Sequence, residues 1–240
     1  RRQRQMCIRD RIWGFETVGI AKTDDEMQAH LNKVGGQSAI GSGVWTAGDI
    51  MYADQDGKPG ITKGAQTLED HGDLKVIGNN TPRYHFGLDL NANYKGFDVR
   101  LFFQGVMKRD YWQGSNIFWG VGQWGMWWST GLKEHEDYFR DEPVGLAGHE
   151  IAANVNSYYA RPRFDSTQNQ ETQTRYLQDA SYIRLKNLQI GYTLPKQWIN
   201  KLHINRCRVY VSGDNLWTGT SLASMFDPET LAAGDWGSGK

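Results

Sequence analysis

The sequence has no long hydrophobic run and no net charge. No stretch approaches the roughly 18 consecutive apolar residues that a transmembrane helix requires, which excludes a helical membrane span. Lysine and arginine number 27, and aspartate and glutamate also number 27. This balance removes any bulk electrostatic attraction to nucleic acid, so we expect no nucleic-acid partner.

Cysteine is scarce, and histidine lacks any ligand pattern. The two cysteines, Cys7 and Cys207, have a spacing that neither favours nor excludes a disulfide, so their pairing stays open. The six histidines are not spaced like zinc ligands, and no zinc site is expected.

Signs of catalysis are also missing. The sequence has no Gly-x-Ser-x-Gly nucleophile elbow. Residues 132–142 are predicted to form a short helix, on which Glu134 shares a face with Asp137 and Asp141. A glycosidase needs two carboxylates that oppose each other across a cleft, so we expect a protein that is not an enzyme.

Aromatic residues and glycine are abundant instead. The chain of 240 residues is 12% aromatic, with 10 tryptophans, 11 tyrosines and 9 phenylalanines, and it has 28 glycines. Disordered chains lack aromatics, and helical bundles are rich in Ala, Glu, Lys and Leu. The composition therefore favours a β-rich protein.

Strand patterns recur along the chain. Residues 83–94 alternate apolar and polar side chains, Lys95 and Gly96 form a two-residue turn, and the alternation resumes from Phe97, which predicts a β-hairpin. Further strand signals cover residues 181–194, with a predicted bulge at Lys186 and Asn187, then 206–217 and, more weakly, 12–20. A capping box at Thr23 and Glu26 predicts one short helix, which ends before Gly35.

Strand length favours a membrane β-barrel over a β-sandwich. About twelve residues at about 3.3 Å each, tilted by about 45°, cover roughly 28 Å of hydrocarbon. Rings stand at both ends of the apolar face of the hairpin, as in an aromatic girdle: Tyr84, Phe86, Tyr94 and Phe97. The segments 21–82, 108–178 and 219–240 all fall at the end of the strands opposite Lys95 and Gly96, as long extracellular loops would.

Several motifs resemble one family. Residues 48–54 (GDIMYAD), 76–84 (VIGNNTPRY), 94–98 (YKGFD), 180–188 (ASYIRLKNL) and 209–216 (VYVSGDNL) look like the carboxy-terminal third of SusC/RagA-type TonB-dependent outer-membrane transporters of Bacteroidetes. The resemblance implies an all-β fold, in which antiparallel strands form the C-terminal part of a large transmembrane β-barrel with long extracellular loops. Five strands cannot close such a barrel. We therefore expect residues 1–240 to be one partial barrel domain, without the plug domain and the last strand.

The resemblance also implies partners and a location. It predicts TonB-dependent nutrient import across the bacterial outer membrane, in contact with outer-membrane lipid. A SusD-like lipoprotein acts as the lid, and TonB acts through the missing N-terminal part. The expected substrate is a glycan oligosaccharide, with peptide import as the alternative. A non-transporting adhesin or structural barrel has the same strand pattern.

Two loops are candidate sites. Five tryptophans interleaved with glycines are candidates for substrate contact, although the commoner explanation of such rings is packing of the loop onto itself, onto the lid protein or against the membrane edge: Trp112, Trp119, Trp124, Trp127 and Trp128. Residues 54–61 (DQDGKPGI) resemble a calcium loop, with Asp54 and Asp56 as ligands and Asp70 or Asp73 as a further oxygen donor. Calcium is therefore the one cofactor that the sequence suggests, and no other cofactor is expected. Polar residues of the hairpin are predicted to line the barrel wall: His85, Asp89, Asn91, Asn93, Arg100 and Gln104.

Overall fold

The computed structural model describes residues 11–41, 43–120, 131–163, 166–200 and 205–231. The chain divides into two compact units. The loop unit comprises the described parts of Arg1–Asn79 and Trp112–Leu177, and the sheet unit comprises those of Asn80–Tyr111 and Gln178–Ala232.

Strands dominate the secondary structure. They are β1 (Arg11–Gly14), β2 (Thr17–Ile20), β3 (Ile50–Tyr52), β4 (Lys75–Asn79), β5 (Tyr84–Tyr94), β6 (Phe97–Met107), β7 (Asp110–Tyr111), β8 (Gln178–Asp179), β9 (Tyr182–Thr193) and β10 (Arg208–Thr220). The helices are α1 (Asp24–Val34), α2 (Asn116–Trp119), α3 (Lys196–Ile199) and a 3₁₀ turn at Lys133–Glu136. Within the described ranges, no helix is long and apolar enough to cross a membrane.

The sheet unit is built on one antiparallel sheet in the order β10-β9-β6-β5. Its strands are 11 to 13 residues long, well above the five or six that are usual in globular proteins. The predicted hairpin is confirmed, with Tyr94 paired to Phe97 across the turn. Gly96 has φ +91° and an added Cβ would lie 2.9 Å from the carbonyl oxygen of Thr193, so this turn requires glycine.

The strand register gives the sheet one apolar face. One row across the four strands consists of Ala92, Val99, Ile190 and Val211, and a second consists of Leu88, Phe103, Leu185 and Trp217. Near the turn, the rings of Phe97 and Tyr192 lie 4.4 Å apart between centroids. The predicted bulge is also confirmed, because Phe102 pairs with Asn187 and Phe103 with Leu185, which leaves Lys186 without a partner residue in this ladder.

The opposite face of the sheet is polar and internally paired. Arg100 Nη2 lies 2.6 Å from Asp89 Oδ2, and Arg208 forms an ion pair with Asp98. Asn187 Nδ2 donates to Asp214 Oδ1 at 2.8 Å. The polar residues predicted to share one face therefore do so, and the charged residues Asp89, Asp98, Arg100 and Arg208 have partners within the sheet.

The loop unit is held by smaller elements. The predicted helix is confirmed as α1, with the Thr23 side chain accepting from the amide of Glu26 and Gly35 as a left-handed C-cap. Phe15, Met27, Ile50 and Tyr52 are buried in its core. The weak strand signal at 12–20 forms two short strands, β1 paired with β4 and β2 paired with β3, and neither belongs to the four-stranded sheet.

The helix predicted at 132–142 is wrong beyond its first turn. Only Lys133–Glu136 is helical, as a single 3₁₀ turn. Asp137 then accepts hydrogen bonds from Asn154 Nδ2 and the amide of Tyr158, and Tyr138 and Arg140 bridge to Tyr159 and Asn154. These partners lie far along the chain, and they replace the local hydrogen bonds of a helix.

Candidate ligand-binding site

A cavity of about 1080 Å³ opens within the loop unit. Its aromatic lining consists of Trp119, Tyr138, Phe139 and Tyr159, and its cationic lining of Lys133, Arg140, Arg161 and Arg163. Glu136, Asp141, Ser166, Asn169 and Gln170 contribute polar side chains. The size and the mixture of rings with a few polar groups are those of a small-ligand site.

Asp49 organises one wall of this cavity. Its carboxylate is completely buried and accepts bonds from Arg163 Nη2 at 2.6 Å and from Asn169 Nδ2 at 2.8 Å. Asn169 in turn accepts from the amide of Ile50 at 3.0 Å. Arg163 is thereby fixed in orientation and its charge is neutralised.

Arg161 is positioned by a close backbone approach. Its amide donates to the carbonyl of Gly48 at 2.8 Å, and Gly48 has φ +89°. A Cβ on Gly48 would lie 2.5 Å from Phe139 and 2.7 Å from the Cβ of Arg161, so glycine is required there. The guanidinium reaches Asp141 Oδ2 at 2.5 Å through Nη2 and lies over the Phe139 ring.

Arg140 is buried and is held by backbone carbonyls. Its Nε donates to Ala152 O at 2.9 Å and its Nη1 to Glu136 O at 2.7 Å. The guanidinium carbon lies 4.4 Å from the centroid of the Tyr138 ring. These contacts fix the direction of the side chain.

An aromatic cluster packs behind the cavity. Trp119 lies 6.1 Å from Trp112 and 4.9 Å from Tyr176 between ring centroids, and Phe118 meets the rings of Tyr159 and Tyr176. Burial raises the pKa of Tyr176 to about 12, and it also raises the pKa of Tyr159. Both phenols therefore remain neutral hydrogen-bonding groups at physiological pH.

The structure divides the predicted tryptophan site. Trp119 lines the cavity and also packs in the aromatic cluster, whereas Trp112 contacts it from within that cluster. Trp124, Trp127 and Trp128 lie outside the described residues. Trp119 is therefore placed both to contact a ligand and to pack the loop onto itself. Substrate contact by these tryptophans stays a prediction.

Three of the four predicted acidic ligands converge. One carboxylate oxygen from each of Asp54, Asp56 and Asp73 lies within 4.8 Å of the others. Asp73 is buried and accepts from the amides of Gln55 at 2.8 Å and Thr62 at 2.7 Å, which closes the loop. Asp70 does not belong to this group and accepts from the amide of Ala65.

The sequence patterns missed the charged residues of the cavity. Asp49 lies within a recognised motif, but its partner Arg163 is 114 residues further along the chain. Arg140 falls within the predicted helix 132–142, which the structure does not form beyond Glu136. No local periodicity links these positions, so only knowledge of long-range contacts identifies them.

Two curated proteins match this chain. TonB-dependent receptor P3 of Formosa agariphila is 31% identical over 188 residues, which make up 78% of this chain and 16% of that receptor. TonB-dependent receptor P26 of the same organism is 26% identical over 200 residues, covering 78% of this chain and 18% of the relative. The chain thus spans under a fifth of either relative's length. No protein-family model matches it.

A solved structure shows the same fold. The structure of the RagAB peptide transporter has a TM-score of 0.52 with 20% sequence identity, over 91% of this chain and 20% of that chain. At this identity the likeness concerns the fold, which agrees with the antiparallel strands predicted from the sequence.

Long antiparallel strands with one apolar and one polar face are typical of outer-membrane proteins built from strands. The sequence match narrows the likeness to TonB-dependent receptors. The chain is thus similar to a part of these receptors, and its fold agrees with the SusC/RagA-type resemblance of its motifs. Both relatives are named as TonB-dependent receptors and neither name describes an enzyme, which agrees with the expectations of an outer-membrane location and of a protein that is not an enzyme.

Proposed function

We propose that this chain belongs to an importer that takes oligosaccharides across the outer membrane, driven through TonB and assisted by a SusD-like lipoprotein lid. The observation that carries the proposal is the cavity of the loop unit, whose lining combines the aromatic rings of Trp119, Tyr138 and Tyr159 with polar and charged side chains. Rings offer large contact areas to sugar faces, and polar side chains hydrogen-bond to hydroxyls. The names of the relatives support TonB dependence.

The two chemically different faces of the sheet support a role in transport. We propose that the apolar face contacts lipid and that the polar face, with Asp89, Arg100 and Asp98, lines the interior. Placed in hydrocarbon, a charged residue near the midplane costs about 2–4 kcal/mol, whereas internally paired charges are tolerated in a lumen. The mechanism is binding and gating, with no covalent step.

Uptake by cells with the complete gene tests this function. Fluorescent oligosaccharides should accumulate in wild-type cells and should not accumulate after deletion of the gene or of its TonB-contacting segment. Co-purification of a lipidated partner with the tagged transporter tests the lid. If the TonB-contacting segment is dispensable while cells still adhere to glycan through the protein, the adhesin alternative replaces import.

A peptide substrate is the second candidate. The RagAB protein is a peptide transporter by its title, although 20% identity carries only the fold. The same assay with labelled peptides separates the two substrates, because uptake of peptides without uptake of oligosaccharides would replace the glycan assignment.

We also propose calcium binding at Asp54, Asp56 and Asp73. The convergence of three carboxylates supports it, since repulsion between them is relieved by a hard cation. The amide of Lys58 lowers the pKa of the Asp56 carboxyl, which favours its charged, cation-binding form. The ammonium of Lys58 lies 3.2 Å from Asp56 and competes with the cation, so weak binding is expected.

Calorimetric titration of the purified transporter with calcium tests this site. Calcium should release measurable heat and raise the unfolding temperature, and Asp54→Asn should abolish both effects. Asp70→Asn is the matched control, because Asp70 lies outside the carboxylate group, and it should behave like wild type. Absence of heat and of a thermal shift in the wild type contradicts the proposal.

A further inference from the structure

We propose that the cavity of the loop unit binds a carboxylate group, and hence that the ligand of this transporter is acidic. The assignment rests on the proposed import function and narrows its substrate class. It follows from how the three arginines of the cavity are compensated.

Arg163 is neutralised by the protein itself. Its guanidinium makes two bonds to the buried carboxylate of Asp49, at 3.1 and 2.6 Å, and one to Thr46 Oγ1 at 2.6 Å. A bidentate pair of this kind leaves little capacity for a ligand. Arg163 therefore shapes the wall and does not supply free positive charge.

Arg140 carries a charge that has no anionic partner among the described residues. Only 7% of the residue is exposed, yet no carboxylate of the described ranges lies within ion-pair distance of its guanidinium. Its two hydrogen bonds go to carbonyl oxygens, through Nε and Nη1. Arg140 also lines the cavity, and a buried charge without an anionic partner is costly.

Arg161 has a displaceable ion pair. Its Nη2 pairs with Asp141, whose side chain is 53% exposed and is therefore a weak, solvent-screened partner. Its Nε has no hydrogen-bond partner among the described residues, but it is buried beside Gly48 and is not accessible to a ligand. A ligand can therefore engage Arg161 by replacing Asp141 at Nη2.

A ligand carboxylate provides a counter-charge for Arg140 and can replace Asp141 as the partner of Arg161. Guanidinium groups match carboxylates by paired, planar hydrogen bonds, and each charge-assisted bond is stronger than a neutral one. A neutral sugar or amide supplies hydrogen-bond acceptors but leaves the charge of Arg140 uncompensated. The carboxylate comes either from an acidic sugar or from an acidic peptide, and the experiment separates these sources.

Equilibrium binding to the full-length purified transporter at low salt tests the proposal with two matched ligand pairs. One pair is a galacturonate trisaccharide with its neutral galactose counterpart, and the other is the N-acetylated, C-amidated tripeptide Gly-Glu-Gly with the equally blocked Gly-Gln-Gly, so that the Glu side chain is the only carboxylate of its pair. In one pair the acidic member should bind about tenfold more tightly than its neutral partner, as expected for one charge-assisted hydrogen bond. The preferred pair identifies the source of the carboxylate.

Three variants assign the effect to the cavity. Arg140→Gln should bring the acidic and neutral ligands to similar affinity. Asp141→Asn should do the opposite and strengthen acidic binding about threefold, because it releases Arg161 without disturbing a buried group. Lys33→Gln, which removes an exposed charge on α1, should change neither affinity.

The outcomes separate this proposal from the import function. Equal affinities within both pairs, or an unchanged preference in both Arg140→Gln and Asp141→Asn, overturn the carboxylate assignment. Uptake of neutral oligosaccharides by wild-type cells then leaves import intact. Conversely, acid-selective binding without any uptake upholds the site and contradicts the import function.

Discussion

At the scale of single residues, two buried side chains of the loop unit, Asp49 and Tyr176, hold together groups that are distant in the sequence. Asp49 is fully buried and receives bonds from Arg163, Asn169 and the amide of Thr46. The Tyr176 hydroxyl accepts from the amide of Ala160 at 2.7 Å and donates to the carbonyl of Tyr158 at 3.2 Å. Each is a single side chain on which several distant groups depend.

Asp49→Asn should destabilise the loop unit by about 2–3 kcal/mol, because it leaves the partly buried Arg163 without its counter-charge. The measurement is the opening free energy of the Ile50 amide by native-state hydrogen exchange in the full-length protein. Asp141→Asn removes the half-exposed partner of Arg161 and should cost less than about 1 kcal/mol. Equal losses would mean that Asp49 has no special role in the wall.

The raised pKa of Tyr176 predicts that the free energy of unfolding falls at alkaline pH. Burial raises its pKa from 10.0 to about 12, so between these values the unfolded chain loses a proton that the folded chain keeps. Stability is complete below pH 10 and falls as the pH rises toward about 12.

Tyr176→Phe should remove this part of the alkaline decline, as followed by near-ultraviolet circular dichroism. At neutral pH the variant should be less stable by about 1–3 kcal/mol, because the amide of Ala160 loses its acceptor. An alkaline decline identical to that of the wild type would assign the effect to other buried phenols, such as Tyr52 and Tyr159.

At the scale of elements, the four long strands present two chemically different faces. Val211 and Ser212 are neighbours on β10 at the same depth, and they point to the apolar and the polar face, respectively. This adjacency permits a comparison in which only the face differs.

Val211→Arg should impair barrel assembly far more than Ser212→Arg. The first places a charge toward lipid at a cost of about 2–4 kcal/mol near the midplane, and the second places it on the polar face. Heat-modifiable gel mobility of the full-length protein in outer-membrane fractions measures assembly. A stronger defect from Ser212→Arg would invert the assignment of the faces.

The same elements show how far sequence patterns reach. The hairpin, the bulge at Lys186 and the caps of α1 depend on neighbours a few residues apart, and all three were predictable. The division of residues 12–20 into β1 and β2 and the loss of the helix after Glu136 depend on partners elsewhere in the chain. The cavity belongs to this second kind, because Asp49 and Arg163 meet only in the folded loop unit.

At the scale of the whole molecule, β7 and β8 join the long loop to the sheet unit. Tyr111 pairs with Gln178, so the two ends of the segment 112–177 leave from adjacent positions. The four-stranded sheet makes its ladders without this segment. Assembly of the sheet and formation of the cavity are therefore separable properties.

Replacing residues 112–177 by a short glycine-serine linker in the full-length transporter should preserve barrel assembly and abolish uptake. The ends are already adjacent, so closure by a short linker costs little chain entropy. Heat-modifiable mobility measures assembly, and fluorescent substrate accumulation measures uptake. Loss of folded barrel would show that the sheet depends on the loop unit, contrary to this expectation.

The bonds from Asp49 to Arg163 and Asn169 also span much of the chain. They connect residues 114 to 120 positions apart, and β5 and β6 lie between them in the sequence. Contacts of such long range require closure of a long loop, which costs chain entropy. We therefore expect this wall of the cavity to form only when both halves of the loop unit are in place, so a ligand that binds there distinguishes complete loop units from incomplete ones.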